Sequence, residues 1–299
     1  MHLRTLFQAL RPPFLILTPV CVFLGASTAL DARGEIDVHY LMLVMIAALC
    51  AHISVNTLNE YFDFKSGLDL VTIKTPFSGG SGALPADPGM ANGVLATGMV
   101  SLFITCAIGV YLISDRGLIL LAIGASGALI IVTYTRWINR WPLLCLIAPG
   151  LGFGMLMVAG THYVLEQGFS TMSWLTALVP FFLVSNLLLL NQYPDIDADR
   201  SIGRRHLPIV SGTEISSYVF GVFLVSTFLV ILAGIVFGYF PALSAIALLP
   251  LLASAYALSG AFRYGKSIGS HPQYLGANVA ATPVSYTHLR AHETERTIS

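Results

Sequence analysis

The sequence predicts an all-α protein: a polytopic membrane helical bundle of nine transmembrane helices, with the ninth truncated. Of its 299 residues, 56% are hydrophobic and only 10% are charged, and the mean hydropathy is +0.78. Soluble domains carry about 25% charged residues, so this composition indicates a membrane protein. Because backbone polar groups in hydrocarbon must be paired within the protein, the spans should be helices. The short alternating segments typical of a membrane β-barrel are not visible.

Eight apolar runs reach the length of about 20 residues that a membrane-crossing helix needs. A ninth run begins near residue 274 and loses its apolar character near Pro283. Pro149, Pro180 and Pro250 fall inside runs and predict kinks, since proline cannot donate a helical hydrogen bond. The eight full-length runs lie near residues 14–30, 39–60, 92–113, 117–135, 143–164, 173–192, 214–237 and 241–260.

The distribution of Lys and Arg predicts the orientation, because cytoplasmic loops are enriched in both. With the N-terminus inside, eleven basic residues before the tail lie in inside segments, and only Arg33 and Arg116 lie in outside loops. The first apolar run is followed by further spans, which favours a retained helix over a cleaved signal peptide. We therefore expect a multi-pass protein of the cell inner (cytoplasmic) membrane. Its N-terminus and two long loops, about 61–91 and 193–213, should face the cytoplasm.

Charge and cysteine content exclude several other classes. The formal net charge is zero, so no basic field points to a nucleic-acid partner. The four cysteines each sit inside an apolar run, with the spacing of neither a metal site nor a disulfide framework. We interpret them as packing residues. The sequence leaves the oligomeric state open.

The C-terminal tail differs from the rest of the chain. Residues 284–299 are polar and resemble translated adaptor sequence, although a short polar C-terminus is the alternative. We therefore expect one transmembrane domain over residues 1–283 and a non-native-looking tail over 284–299.

The first of two acidic clusters follows the second apolar run, between residues 59 and 69. Asn56, Asn59 and Asp63 are spaced by three and four residues, which places them on one face of a helix. Asp69 is six residues beyond Asp63, and Ser66-Gly67 supplies a helix end that lets Asp69 fold back. Ionisable residues beside bilayer-length apolar runs are costly and point to function. The alternative is a polar helix end at the membrane surface.

The second cluster follows the sixth run, between residues 191 and 200. Asp195 and Asp199 share a helix face, whereas Asp197 should point to solvent. Pro194 predicts a helix break just before these acids. Arg204 and Arg205 follow the acids, and a surface charge network is the alternative interpretation.

Two carboxylate clusters on one membrane face predict a site for Mg²⁺ and a diphosphate. Mg²⁺ prefers oxygen ligands and is commonly held by a few carboxylates together with substrate phosphates. Basic side chains after each cluster suit the phosphate oxygens. The glycine-rich run 78–82 lets backbone N–H groups approach an anion, although it lacks the ending of a P-loop. Among the histidines, only His206 lies in such a basic loop.

At these residues the chain resembles the UbiA family of intramembrane prenyltransferases, over roughly residues 8–283. The family carries two Asp-rich motifs on cytoplasmic loops after the second and sixth of nine helices. The first cluster, the run 78–82 and the pattern Asp195-x-x-x-Asp199-x-x-x-Gly203-Arg204-Arg205 are similar to the menaquinone-type (1,4-dihydroxy-2-naphthoate) branch. Departures are Glu60 in place of Asp, Pro194 in place of a basic residue, and no acid after the glycines of 148–154.

The resemblance implies Mg²⁺-dependent transfer of a polyprenyl group from its diphosphate to an aromatic acceptor, in menaquinone-like quinone biosynthesis. Asp63, Asp69, Asp195 and Asp199 are then the catalytic and metal-binding residues. Tyr134 and Tyr193 are either interfacial anchors or groups that stabilise an allylic cation through their rings. The expected substrate-binding residues are Asn56, Asn59, Lys65, Lys74, Tyr134, Asn191, Tyr193, Arg204 and Arg205.

Two alternatives stay open at this point. A same-family enzyme could use a different acceptor, such as a haem, a chlorophyll precursor or a lipid glycerol. A transporter or lipid carrier without chemistry is the rival from another class, although transporters place polar groups near the bilayer midplane. Here the polar clusters lie at one end of their apolar runs.

Overall fold

The structure, a computed structural model, describes residues 2–289 and consists there of helices and their connections, without a strand. Seven helices in this range are long and apolar enough to cross a membrane, which agrees with a multi-pass membrane protein. The predicted count of nine spans is not confirmed. The seven candidates are Pro12–Arg33, Val38–Lys65, Pro88–Arg116, Pro142–Glu166, Thr171–Asn191, Leu207–Val236 and Ala242–Ser270.

Within residues 2–289, nine longer helices form the bundle. One of the eight full-length apolar runs, 117–135, contains a helix of only 15 residues. The helices are α1 (Leu17–Arg33), α2 (Val38–Lys65), α3 (Ala91–Arg116), α4 (Ile119–Thr133), α5 (Pro142–Glu166), α6 (Thr171–Asn191), α7 (Leu207–Val236), α8 (Leu251–Tyr264) and α9 (Pro272–Leu289). Shorter helices cover His2–Ala9, Pro12–Leu15, Leu68–Val71, Ala83–Ala86, Pro88–Met90, Ile138–Arg140, Ile196–Ser201, Ala242–Leu248 and Gly265–Ser270.

The three prolines inside apolar runs have different effects. Pro149 lies just before a π-helical stretch, Leu151–Ala159, in the middle of α5. A proline removes one backbone donor, and a local shift to wider hydrogen bonding is a common response. Pro180 lies inside α6, which stays one continuous helix. Pro250 directly precedes α8, where a missing N–H costs nothing.

Helix α6 is the most enclosed of the candidate spans and packs against α5 and α7. The approach of α5 is close because glycines face α6: a Cβ atom on Gly154 would lie 2.4 Å from the carbonyl oxygen of Ala177. Small residues are the usual means of bringing membrane helices together. Helix α2 is largely exposed on one side and packs along α3 on another. These contacts fix the C-terminal ends of α2 and α6, from which both acidic clusters extend.

The local structure after α2 and α6 agrees with the sequence predictions. Helix α2 ends at Lys65, and Gly67 adopts φ +80°, a left-handed conformation that glycine tolerates. A short helix, Leu68–Val71, then returns Asp69 toward α2. After α6, the chain turns through Pro194 and restarts as the helix Ile196–Ser201. Both predicted helix breaks are therefore confirmed.

The last helix, α9, continues past Pro283 and includes the first six residues of the polar tail, with Ser285 and Leu289 buried. Residues 290–299 lie outside the described part of the chain. The non-native origin of the tail, the domain limits and the membrane orientation stay predictions.

Candidate active site

A cavity of about 1060 Å³ runs through the bundle between α2, α4, α5 and α6. On α2 its lining extends from Asp63 back to Val44, which is 19 residues and about 28 Å of helix. The far part of the lining is apolar, and the part near Asp63 is polar. All four predicted catalytic acids line this polar end: Asp63, Asp69, Asp195 and Asp199. The fold therefore brings the two acidic clusters to one place.

Arg204 connects the two clusters. Its Nη1 donates to Oδ1 of Asp199 at 2.7 Å, and its Nη2 donates to Oδ1 of Asp63. Burial lowers the pKa of an arginine, but the two carboxylates outweigh that effect and raise the pKa of Arg204 above its ordinary value. The guanidinium is mostly enclosed and stays charged. Removing it would leave two buried acids without their partner.

Asp199 has a second partner in His206. The Nε2 atom of His206 lies 2.8 Å from Oδ2 of Asp199, and the imidazole is fully buried at the cavity wall. Burial alone would raise the pKa of Asp199, but the hydrogen bond from His206 and the charge of Arg204 hold that pKa below its usual value. Asp199 is therefore a carboxylate with both oxygens occupied.

Among the four predicted catalytic acids, Asp69 and Asp195 each have a buried oxygen without a hydrogen-bond partner in the described part of the chain. These atoms are Oδ2 of Asp69 and Oδ1 of Asp195. Burial, with Glu60 and Asp63 nearby, raises the pKa of Asp69 to about 7. Burial and the neighbouring Asp199 raise the pKa of Asp195 to about 7. Both groups are therefore strong candidates for binding a cation that would replace their protons.

The glycine-rich run 78–82 lies beside the acids of both clusters. The backbone N–H of Gly79 donates to Oδ2 of Asp195 at 3.0 Å, and that of Ser81 donates to Oε2 of Glu60 at 3.2 Å. Gly80 has φ +73°, and a Cβ atom there would lie 2.8 Å from Oδ1 of Asp69. Glycine is required at this position both for conformation and for space. The run thus joins both clusters.

Five of the predicted substrate-binding residues besides Arg204 also line the cavity. Asn56 and Asn59 lie on one face of α2, as predicted. The side-chain amide of Asn56 donates to the Leu10 carbonyl at 2.9 Å, and that of Asn59 donates to Oγ1 of Thr135 at 3.2 Å. The Lys74 ammonium donates to the Ser81 carbonyl. The five residues are Asn56, Asn59, Lys74, Tyr134 and Asn191.

Three predicted substrate-binding residues are not on the cavity. Lys65 is exposed in the last turn of α2, with its ammonium 5.7 Å from the ring centre of Tyr61. Arg205 is exposed, because the chain turns between it and Arg204. Tyr193 is completely buried in the protein core, and its hydroxyl donates to the Thr213 carbonyl at 3.0 Å. Periodicity alone did not distinguish these positions from those that face the cavity.

Two ionisable residues near the acids, Arg11 and His206, were not among the predicted site residues. Arg11 and His206 both line the cavity. His206 stood out only because it lies in a basic loop. Arg11 gave no signal beyond its position before Pro12 and Pro13, since contacts across the fold bring it to the acids. Asp197 is exposed and pairs with Lys266 at 2.8 Å, as expected for a residue pointing away.

The described residues contain no group of three or more His, Cys, Asp or Glu side chains already arranged to hold a metal ion. Arg204 occupies Asp63 and Asp199 instead. The free buried oxygens of Asp69 and Asp195 nevertheless suit a hard cation, because Mg²⁺ needs only one or two protein carboxylates when phosphate oxygens and water complete its shell. The donor set therefore fits Mg²⁺.

Comparison with known proteins agrees with this geometry. A family model described as the UbiA prenyltransferase family matches residues 18–268. The chain belongs to the UbiA prenyltransferase family. The predicted family is thus confirmed, and the predicted enzyme class, a prenyltransferase, agrees with it.

Two curated relatives differ in their acceptors. The chain is 29% identical over 216 residues to 1,4-dihydroxy-2-naphthoate octaprenyltransferase of Bacillus subtilis, covering 70% of this chain and 66% of that protein, just under two thirds. It is 27% identical over 246 residues to digeranylgeranylglyceryl phosphate synthase of Thermococcus sibiricus, covering 81% of this chain and 82% of that protein.

Solved structures share the fold. A UbiA homolog from Aeropyrum pernix K1 superimposes with a TM-score of 0.68 at 18% identity, covering 92% of this chain and 95% of that one. A UbiA homolog from Archaeoglobus fulgidus bound to DMAPP and Mg²⁺ gives a TM-score of 0.64 at 14% identity, covering 96% and 99%.

Proposed function

We propose that this UbiA-family protein transfers a polyprenyl group from its diphosphate to an aromatic acceptor in a Mg²⁺-dependent reaction of menaquinone-like quinone biosynthesis. The observation that carries the proposal is a single cavity with acids and cations at one end and apolar walls along the remainder. Such a cavity matches an amphipathic substrate whose charged head and long apolar tail need different surroundings.

The proposed Mg²⁺ ligands are Asp69 and Asp195, with Asp63 and Asp199 after Arg204 has been displaced. Bound there, Mg²⁺ would supply positive charge to the diphosphate leaving group. The Archaeoglobus homolog binds Mg²⁺ together with DMAPP, and the free oxygens of Asp69 and Asp195 support a divalent cation in this chain.

The chain's own residues would position the diphosphate and exclude water from the reacting carbon. Arg204 can exchange its carboxylate partners for phosphate oxygens, because the planar guanidinium can donate two parallel hydrogen bonds to either group. Lys74 and residues 78–81 of the glycine-rich run also line the polar end of the cavity and would contact the diphosphate there. The apolar cavity walls would hold the isoprenoid chain and exclude water, which would otherwise capture an allylic cation. Tyr134 lines the cavity and would stabilise such a cation through its ring.

Two observations support an aromatic acceptor. The motif pattern is of the menaquinone type, and the Bacillus relative is named for an aromatic acceptor. The Thermococcus relative, which matches more of both chains, favours a lipid glycerol phosphate as the second candidate. A panel of aromatic acids and glycerol phosphates, incubated with prenyl diphosphates and analysed by mass spectrometry, separates the two.

The reaction is tested with Asp63→Ala and Asp199→Ala in purified, detergent-solubilised protein. We expect both variants to lose Mg²⁺-dependent prenyl transfer while still expressing. Asp197→Ala is the matched control, because Asp197 lies in the same cluster but is exposed and faces Lys266. Full activity in both test variants would refute the assignment of the acids. Substrate flux across liposomes without any prenylated product would favour a carrier.

We further propose that the protein lies in the inner (cytoplasmic) membrane with its active-site loops in the cytoplasm. The Lys and Arg distribution supports this orientation. A cysteine-accessibility assay on intact cells, with single cysteines in the loop 72–82 and near Glu35, would test it.

A further inference from the structure

Arg11 brings a third cation to the polar end of the cavity. The Lys and Arg side chains among the described lining residues are Arg11, Lys74 and Arg204. Arg204 is already occupied by two carboxylates, and the Lys74 side chain is largely exposed on its loop. Arg11 comes from the N-terminal segment, far in sequence from both acidic clusters.

The backbone of Arg11 is held in an unfavourable conformation. It has φ 54° and ψ 60°, in the left-handed region, between the surface helix His2–Ala9 and the turn Pro12–Leu15. A side chain with a Cβ atom disfavours this region, and residues kept there cluster at functional sites. Pro12 follows directly, and the Arg11 N–H donates to the Gln8 carbonyl at 3.0 Å. This left-handed backbone conformation directs the Arg11 side chain toward the cavity.

The guanidinium lies between Glu60 and the glycine-rich run. Its Nη2 donates to Oε2 of Glu60 at 3.1 Å and lies 3.9 Å from the position that a Cβ atom on Gly80 would take. Oδ1 of Asp69 lies 2.8 Å from that same position. The Nε of Arg11 is buried and has no hydrogen-bond partner among the described residues. Arg11 therefore combines a fixed position with unused donors.

We propose that Arg11 is a diphosphate-binding residue, held at the cavity mouth by Glu60 and aimed past Gly80 at the head group that Asp69 helps to bind. This inference rests on the proposed function. The guanidinium has five N–H donors and matches phosphate oxygens, so it can keep Glu60 as a partner while donating to a phosphate. Glu60 then acts as a positioning residue.

A purely structural role competes with this proposal. Glu60 is completely buried, and Arg11 is its one ion-pair partner among the described residues, so Arg11 could serve only to neutralise it. The two roles give different results when both residues are made neutral. The double variant Arg11→Gln/Glu60→Gln removes the need for charge compensation but does not restore a phosphate ligand.

The experiment measures binding of geranyl diphosphate with Mg²⁺ by calorimetry in detergent, alongside the unfolding temperature. Arg11→Gln should weaken binding by about 10- to 100-fold, as expected for losing a hydrogen bond to a charged group, and should lower the unfolding temperature. The double variant should regain the unfolding temperature but not the affinity. Arg4→Gln is the control, because Arg4 is exposed and does not line the cavity, and this variant should bind normally.

Recovery of both stability and affinity in the double variant would overturn the proposal, as would wild-type affinity in Arg11→Gln. The outcome is separable from that of the proposed reaction. A wild-type protein that binds geranyl diphosphate but prenylates no acceptor would reject the reaction, while an affinity loss in Arg11→Gln would still support the site. A wild-type protein that does not bind the diphosphate would overturn both.

Discussion

Arg204 donates to Asp63, a residue 141 positions earlier in the chain, and so joins the end of α2 to the loop after α6. The same guanidinium contacts Asp199, which makes it the one side chain shared by both acidic clusters in the described structure. Two of the four acids proposed to bind Mg²⁺, Asp63 and Asp199, therefore have their charge balanced by Arg204.

The substitution Arg204→Lys tests whether Arg204 acts through its positive charge alone or also through the shape of its guanidinium. Lysine keeps the positive charge but cannot bridge two carboxylates with a planar fork. We expect a lower unfolding temperature without Mg²⁺ and a loss of prenyl transfer of at least tenfold, about the value of one lost charged hydrogen bond. Arg205→Lys is the control, since its side chain is exposed. Equal activity in Arg204→Lys and wild-type protein would contradict a bridging role.

Metal binding should depend on pH through Asp69 and Asp195, whose pKa values burial raises to about 7. Both carboxyls are largely protonated at pH 6 and ionised at pH 8, and a cation must displace those protons. We expect Mg²⁺ to raise the unfolding temperature strongly at pH 8 and much less at pH 6. Calorimetry across this range measures the effect.

The metal-free protein should show the opposite trend. A raised carboxyl pKa gives stability that is complete below the ordinary pKa near 4 and is lost as the pH rises through 7. The double variant Asp69→Asn/Asp195→Asn should therefore have a flatter stability profile between pH 4 and 8. An unchanged profile would show that these two groups do not titrate in this window.

Gly80→Ala tests whether the glycine-rich run must lie against Asp69. The added Cβ would sit 2.8 Å from Oδ1 of Asp69, in a residue at φ +73°. Gly34→Ala is the matched control, with φ +79° and open space around its Cβ position. Both substitutions carry a conformational cost of about 1–2 kcal/mol. Only Gly80→Ala should raise the Mg²⁺ concentration needed for half-maximal activity, and a normal Mg²⁺ requirement would refute the close contact.

Gly154→Ala should destabilise the packing of α5 on α6. The new methyl group would lie 2.4 Å from the Ala177 carbonyl oxygen, so the helices must separate, at a cost of about 1–3 kcal/mol. Gly152, two residues earlier on α5, has no atom within 4 Å of its Cβ position. Gly152→Ala should therefore unfold like the wild type. The comparison by thermal unfolding needs no substrate, and equal losses in both variants would argue against this packing.

The sequence predicted the membrane class and the two helix breaks, because composition and the positions of proline and glycine are local properties. It predicted the convergence of both clusters from their position on one membrane face. It also placed Asp197 in solvent correctly, from spacing alone. It did not predict that Tyr193 is buried in the core or that Arg11 reaches the acids. Those positions depend on which side of each turn faces a neighbouring helix, which periodicity does not encode. The predicted number of nine spans is not confirmed, in part because α4 is shorter than a typical bilayer crossing.

Because Tyr193 is buried, the two sides of the cavity mouth differ in how firmly they are attached to the helix bundle. The Tyr193 hydroxyl hydrogen-bonds to Thr213 and Ser217 of α7, so the start of the second cluster is held to the buried core. The opposite side, residues 74–82, is tied to the acids by a few polar contacts that a solvated ion can replace. Product release should therefore proceed by lifting the glycine-bearing side while the Asp195 side stays still. Amide hydrogen exchange should accordingly be faster at residues 74–82 than at 193–199.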